Sequence, residues 1–77
     1  MAELAIGIYR HYKGKLYRVI GVGRNSETLE EVVIYLALYD NDEFGKDALW
    51  VRPLSMFLES VEIDGKKVPR FAFVKED

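Results

Sequence analysis

The chain has 77 residues, of which 49% are hydrophobic and 31% charged, and its formal net charge at pH 7 is -2. This composition is ordinary for a globular chain, so we expect a single domain over residues 1–77, with a core over about 4–74 and a frayed C-terminal tail. The net acidity argues against charge-driven nucleic-acid binding, and the absence of cysteine excludes disulfides, thiolate catalysis and cysteine-bound zinc.

The first predicted element is a β-hairpin, because residues 6–12 and 16–22 are rich in branched and aromatic side chains. With Gly14 in the left-handed position of a three-residue loop, Tyr9 pairs with Tyr17. Alternation then places Tyr9, His11, Tyr17 and Val19 on one face, and Ile6, Ile8, Arg10, Leu16, Arg18 and Ile20 on the other. We predict that the isoleucine face packs in the core.

The middle of the chain alternates between polar turns and one apolar strand. Residues 21–31 lack an apolar period and predict a loop, in which Gly21 and Gly23 mark a bend or bulge. Residues 32–38 are apolar on both faces, which is typical of a central strand covered on both sides. Residues 39–47 form a polar turn cluster.

The next segment predicts a short strand followed by a helical turn. Residues 48–52 are strand-like and end at Pro53, which favours the first turn of a helix. Leu54, Phe57 and Leu58 follow at helical spacing, so we expect one or two turns with these side chains inward.

A second hairpin is predicted at Asp64-Gly65, a dipeptide typical of two-residue turns between strands. It pairs Val61 with Val68 and Glu62 with Lys67, and Ile63 with Lys66. Residues 70–74 predict a final strand, and residues 75–77 a frayed tail. The whole pattern predicts a mainly β fold, either a small SH3-like open barrel or a twisted antiparallel sheet with one short helix.

Four segments closely resemble a family of small bacterial proteins known as domain of unknown function 1653. They are GIYRHYKG (residues 7–14), SETLE (26–30), LWVRP (49–53) and PRF (69–71). The resemblance covers nearly the whole chain. It implies a bacterial protein but supplies no reaction, ligand, cofactor or functional residue.

Several residues with reactive side chains have structural explanations as well as functional ones. His11 is the single histidine, so one chain cannot assemble a histidine-rich metal site, and its imidazole fits packing beside a neighbouring ring. The candidate catalytic carboxylates are Glu27, Glu30 and Glu31, but Ser26, Thr28 and Glu30 also fit the capping of a turn. No serine occurs in a nucleophile-elbow pattern. We therefore identify no catalytic residue, metal ligand or cofactor.

The candidate ligand-binding residues are Arg10, His11, Tyr12, Trp50 and Arg52. Trp50 and Arg52 share a strand face, and Pro53 ends that strand beside them. Aromatic rings offer stacking surfaces, and guanidinium groups bind carboxylate or phosphate. Strand ends meet at the rim of a small barrel, so we expect Arg10 to approach Arg52 there. The other explanation is that most of the aromatic rings fill the core.

These observations predict a non-enzymatic binding or interaction module that recognises an unknown protein or a small anionic or peptide ligand. The first alternative is a domain that binds single-stranded nucleic acid through stacking, which the net acidity disfavours. The second is a small enzyme acting on a phosphorylated metabolite, with Glu27 or His11 as the base. No segment predicts a secretion signal or a membrane span, so we expect a cytoplasmic protein that does not associate with membranes. The oligomeric state stays open.

Overall fold

The computed structural model describes residues 4–76. Its strands are β1 (Gly7–His11), β2 (Leu16–Arg24), β3 (Glu31–Ala37), β4 (Asp40–Asn41), β5 (Gly45–Lys46), β6 (Leu49–Pro53), β7 (Ser60–Ile63), β8 (Lys66–Pro69) and β9 (Phe71–Lys75). The helix α1 (Leu54–Phe57) lies between β6 and β7. The mainly β class and the short helix are therefore confirmed.

Five strands form one antiparallel sheet in the order β6-β3-β2-β1-β9, and β4-β5 and β7-β8 form separate two-stranded hairpins. Within residues 4–76, β6 and β9 do not pair with each other, so the sheet is open rather than a closed barrel. The last strand returns beside the first, which brings chain segments far apart in sequence together at the β1 side of the sheet.

Both predicted hairpins form in the expected register because their turns are encoded locally. Tyr9 pairs with Tyr17, and the amide of His11 donates to the carbonyl of Lys15 at 2.8 Å. Gly14 closes this loop with a φ of 105°, in the region that favours glycine. In the second hairpin Val61 pairs with Val68 as predicted, and both turn residues have positive φ.

The prediction that the isoleucine face of the first hairpin packs in the core is wrong. Ile6 and Ile20 are each 49% exposed, whereas Tyr9 is 5% exposed and Val19 is fully buried. Ile8 is buried, but it lies outside the main core cluster. The tyrosine face is covered because large rings pack under α1 and β9 while their hydroxyls keep hydrogen bonds. The core cluster consists of Tyr9, Val19, Val33, Tyr35, Leu54, Phe57 and Phe71.

The boundaries of several predicted elements change. β2 continues to Arg24, so the predicted loop shrinks to residues 25–30, and the predicted bulge appears as a register shift between Val19 and Gly21. On the second face of β3, Val32 is buried but Ile34 and Leu36 are only half-buried. In α1 Leu54 and Phe57 are buried as expected, but Leu58 follows the helix and is 51% exposed.

The C-terminal prediction is also adjusted. The final strand runs to Lys75 instead of ending at residue 74, because β9 pairs with β1 as far as Ile8. The predicted domain also includes residues 1–3 and 77, which lie outside the described residues.

Candidate functional site

Trp50 and Arg52 project from the same face of β6. Trp50 lies opposite Tyr35 and Arg52 lies opposite Val33, both of which are core residues of β3. Because directly paired residues share a face, both side chains point to the core side of the sheet. They meet there a small cavity of about 160 Å³, which we name the tyrosine pocket, and its lining residues are Tyr17, Tyr35, Tyr39, Trp50 and Arg52.

Hydrogen bonds and ring contacts organise the tyrosine pocket. The hydroxyls of Tyr17 and Tyr39 are hydrogen-bonded at 2.8 Å. Arg52 Nε donates to the Tyr35 hydroxyl at 3.4 Å. Phe44 packs edge-on against Trp50, with ring centroids 5.1 Å apart. In the pocket, the Tyr35 hydroxyl is thus bonded to the Arg52 guanidinium, and the Tyr17 and Tyr39 hydroxyls are bonded to each other.

The charge of Arg52 has no carboxylate partner among residues 4–76, where the ion pair within 4 Å joins Arg70 and Glu59. The Arg52 guanidinium lies 5.8 Å from the centre of the Phe71 ring, and Lys15 Nζ lies 4.9 Å from the centre of the Tyr39 ring. These are attractive cation-π contacts, but they leave the positive charge uncancelled. Arg52 is therefore the charged group among the described residues that line the pocket, and Lys15 adds a second positive charge at Tyr39, which also borders a neighbouring cavity lined by Asp40, Lys46 and Asp47.

Burial raises the pKa of Tyr17, and the hydrogen bond with Tyr39 raises it further. The phenol consequently keeps its proton throughout the ordinary pH range. A protonated phenol can donate a hydrogen bond, so the Tyr17 hydroxyl is a neutral hydrogen-bonding group rather than a negative charge.

His11 lies beside the pocket, at the end of β1. Its ring centroid is 5.0 Å from that of Phe71 and 6.3 Å from that of Tyr17. The backbone amide of Lys13 donates to His11 Nδ1 at 3.2 Å, which requires that nitrogen to be unprotonated. Burial lowers the pKa of His11, and the positive charges of Arg70, Arg52 and Lys13 lower it further.

Arg70 adds to this positive environment. One of its terminal nitrogens lies 3.6 Å from Glu59, while its Nε is buried and has no hydrogen-bond partner among residues 4–76. Its backbone carbonyl accepts from the amide of Tyr12 at 2.9 Å, which holds the segment after β8 against the end of β1.

A second cavity, which we name the hairpin groove, has a volume of about 470 Å³. It is lined by Arg10, His11 and Tyr12, by residues of the β7-β8 hairpin, and by Ala72 of β9. Arg10 pairs with Leu16 and Ala72, so it projects from the face of β1 opposite to His11.

The five predicted ligand-binding residues therefore divide between two cavities. Trp50 and Arg52 line the tyrosine pocket, whereas Arg10, His11 and Tyr12 line the hairpin groove. The structure does not bring Arg10 to Arg52, since they line different cavities. Of the β1 residues, His11 is the one with ring contacts to residues around the tyrosine pocket.

The acidic candidates lie elsewhere in the fold. Glu27 accepts a hydrogen bond from Ser26, and Glu30 and Glu31 line a separate cavity beside α1. The loop itself is capped by Asn25, whose side-chain oxygen accepts from the amides of Glu27 and Thr28 at 2.9 and 3.3 Å. The predicted capping role of Thr28 is present, since its hydroxyl accepts from the amide of Glu30 at 3.2 Å, but the sequence prediction did not include Asn25.

Metal sites and membrane-spanning helices are the next two features to consider in the part of the chain that the structure describes. No cluster of three or more histidine, aspartate and glutamate side chains has the arrangement of a metal site there. The helix there falls short of the length and apolar character that crossing a membrane requires.

The sequence reasoning also missed residues around the tyrosine pocket, namely Tyr17, Lys15, Arg70 and Phe71. Tyr17 carried a usable signal, because the predicted pairing already placed it on the same face as His11. Arg70 and Phe71 carried none, since their approach depends on β9 returning to pair with β1.

Comparisons with known proteins agree with this architecture. The model of a family described as "Protein of unknown function (DUF1653)" matches residues 7–73. A crystal structure of a protein belonging to the same family, from Bordetella bronchiseptica, is similar to this chain with a TM-score of 0.86 and 36% sequence identity. The similarity covers 97% of this chain and 92% of the other. A search of curated proteins finds no match.

Proposed function

The chain belongs to the DUF1653 family, and we propose that it is a binding module that recognises an anionic group in the tyrosine pocket. The observation that carries the proposal is the Arg52 guanidinium, which faces the pocket without a carboxylate partner among residues 4–76. A guanidinium of this kind, beside phenol donors, is suited to phosphate or carboxylate oxygens.

Four aromatic rings around a small cavity also suggest a cage for a quaternary ammonium ion, which binds through cation-π attraction. The charges in this pocket favour the opposite ligand. Arg52 lines the cavity itself, and Lys15 already occupies the ring of Tyr39. Among residues 4–76, no carboxylate lines the pocket or pairs with Arg52 within 4 Å, so a cationic ligand would meet this positive charge directly, whereas an anion would neutralise it.

The volume of the pocket limits what enters it. A cavity of about 160 Å³ holds the equivalent of roughly five waters, at about 30 Å³ each. This space suits a single phosphate, sulfate or carboxylate group with its first substituent. The anion is then the end group of a larger ligand whose remainder lies outside the pocket.

The proposal also includes the cellular compartment of the protein and its lack of catalytic activity. We place the protein in the bacterial cytoplasm as a module without catalytic activity of its own, which its cysteine-free composition and the family resemblance support. Single-stranded nucleic acid is the second candidate. It is favoured by Lys13 and Lys15 in the loop beside the pocket and disfavoured by the net charge of -2.

The test is a titration of the protein with inorganic phosphate, phenyl phosphate and tetramethylammonium, followed through the indole resonance of Trp50, the single tryptophan. We expect both phosphates to shift this resonance and tetramethylammonium to leave it unchanged. Arg52→Gln should weaken phosphate binding about 10- to 100-fold, because a charged hydrogen bond contributes about 1.5–3 kcal/mol.

The matched control is Arg10→Gln, which also removes an arginine charge. Arg10 lies on the face of the sheet opposite to the one that carries Arg52. It should bind phosphate as the wild type does. Tetramethylammonium binding, or equal phosphate binding by Arg52→Gln and the wild type, would show the proposal to be wrong. Tight binding of oligothymidylate at physiological salt would favour the nucleic-acid alternative instead.

A further inference from the structure

The hairpin groove offers a largely apolar surface at the edge of the fold. Tyr12, Ile63, Val68 and Ala72 contribute apolar atoms to its lining, and Pro69 closes one end of β8. Its volume of about 470 Å³ is three times that of the tyrosine pocket, and it is an open cleft that an extended chain can enter.

Two strands that each have an unpaired edge contribute residues to this groove. β9 ends the five-stranded sheet, and β8 pairs only with β7 within residues 4–76. The outer edge of each strand carries backbone donors and acceptors that no neighbouring strand of the described chain satisfies. Such edges bind extended peptides by backbone hydrogen bonds, while pockets beside them accept alternate side chains.

The charges around the groove are mainly positive. Arg10 and Lys66 line it, and Lys13 Nζ lies 5.8 Å from the centre of the Tyr12 ring. Asp64 is the single acidic residue in the lining. Within residues 4–76, none of these three basic side chains has an ion-pair partner within 4 Å. A ligand that supplies carboxylates at this rim would therefore complement the groove.

We propose that the hairpin groove is a second binding site, which takes an extended peptide segment of another protein with apolar side chains alternating with acidic ones. The apolar side chains enter the groove between β1 and the β7-β8 hairpin, and the acidic ones meet Arg10, Lys13 and Lys66. The site differs from the tyrosine pocket in its lining residues, so it does not depend on anion binding at Arg52.

The test uses three synthetic pentapeptides with blocked ends, added to the isotopically labelled protein and followed by amide resonances. The first alternates glutamate with leucine, the second replaces its glutamates by lysine, and the third replaces its leucines by serine. We expect only the first to shift the amides of Tyr12, Val68 and Ala72 and of neighbouring positions in β9. Its binding should weaken as ionic strength rises.

Charge-removing variants give a second readout. The double variant Arg10→Gln with Lys66→Gln should weaken binding of the first peptide about tenfold. Lys67→Gln is the matched control, because Lys67 neighbours Lys66 on β8 and projects from the other face opposite Glu62. It should bind within about twofold of the wild type. Arg52→Gln should also leave this binding unchanged.

Four results would overturn the proposal. One is the absence of any shift at millimolar concentrations of the first peptide, and another is an equal response to the lysine peptide. The third is a response of the groove to octanoate without a response to the peptide, which would assign the groove to a small amphiphile. Shifts that appear on concentrating the protein alone would assign it to a second copy of the chain.

Discussion

At the scale of single residues, the side chains of the tyrosine pocket combine a structural role with the binding role proposed for them. Tyr17 shows this most clearly, since its hydroxyl bonds to Tyr39 while its ring contacts those of Tyr35 and Phe71 at 5.4 and 5.6 Å. The hydroxyls are held in place by the rings that carry them. A ligand would therefore find the donors already oriented.

Tyr17→Phe should lower the free energy of unfolding by about 0.5–1.5 kcal/mol at neutral pH, because one hydrogen bond is lost. It should also change how steeply the free energy of unfolding falls at alkaline pH. The pKa of Tyr17 is raised in the folded protein, so its contribution is complete below the ordinary value of about 10 and is lost as pH rises above it.

Urea unfolding between pH 7 and 11 measures both effects. The wild type should lose stability above about pH 10, and Tyr17→Phe should lose less over the same interval. Tyr12→Phe is the control, since the exposed Tyr12 ring sits outside the tyrosine pocket. An identical alkaline slope for Tyr17→Phe and the wild type would contradict the role assigned to this hydroxyl.

At the scale of elements, the pairing of β1 with β9 brings Ala72 into the hairpin groove and sets Phe71 against His11 beside the tyrosine pocket. Gly7 permits this pairing at the far end of the two strands. A Cβ atom there would lie 2.5 Å from the carbonyl oxygen of Lys75, and the φ of Gly7 is +153°. The strands approach each other more closely at this position than a side chain allows.

Gly7→Ala should therefore destabilise the fold by about 1–3 kcal/mol from backbone strain alone, with the clash adding to this cost. Gly21→Ala is the matched control in β2, because a Cβ there meets nothing within 4 Å. It should change stability by less than about 0.5 kcal/mol. Thermal unfolding of both variants decides the matter, and equal stabilities would show that Gly7 is not required for the pairing.

The elements also show which parts of the fold were readable from the sequence. The Asp64-Gly65 turn fixes its own register through local backbone preferences, so every predicted pair of that hairpin is present. The buried face of the first hairpin was predicted wrongly, because it depends on Phe57 and Phe71, which are distant in sequence. A hairpin that is apolar on both faces carries no local signal for which face the core covers.

At the scale of the whole molecule, one aromatic core supports the tyrosine pocket. Phe57 is 1% exposed and stacks on Phe71 with centroids 4.1 Å apart and ring planes 4° from parallel. Phe71 in turn contacts His11 and lies under the Arg52 guanidinium. The core and the tyrosine pocket are thus continuous through Phe71.

Phe57→Ala should destabilise the protein by about 3–5 kcal/mol, because it removes a fully buried ring from a small core. That loss is comparable with the total stability expected of a domain of this size, so Phe57→Leu is the second variant, with a loss of about 1 kcal/mol. Leu58→Ala is the control, since Leu58 is 51% exposed. Urea unfolding measures all three, and a Phe57→Ala protein as stable as Leu58→Ala would contradict this account of the core.

The sequence predicted only part of the candidate site. Alternation on β6 placed Trp50 and Arg52 together, and both line one cavity. The expectation that Arg10 joins them overlooked the same rule on β1, where Arg10 and His11 must point to opposite faces. The approach of Arg70 could not be predicted, because it depends on the path of the chain between α1 and β9.

The central claim, that the tyrosine pocket binds an anion, is tested most directly by the pKa of His11, the single histidine. Burial and the charges of Arg70, Arg52 and Lys13 hold this pKa below its usual value. Sulfate is the suitable probe, because its charge stays constant between about pH 5 and 8, and the pKa is measured by NMR titration at fixed ionic strength. Sulfate bound beside Arg52 should raise the pKa of His11 in the wild type. In Arg52→Gln the pKa of His11 should already be higher without sulfate, and adding sulfate should change it little. A pKa of His11 that saturating sulfate leaves unchanged would contradict the claim.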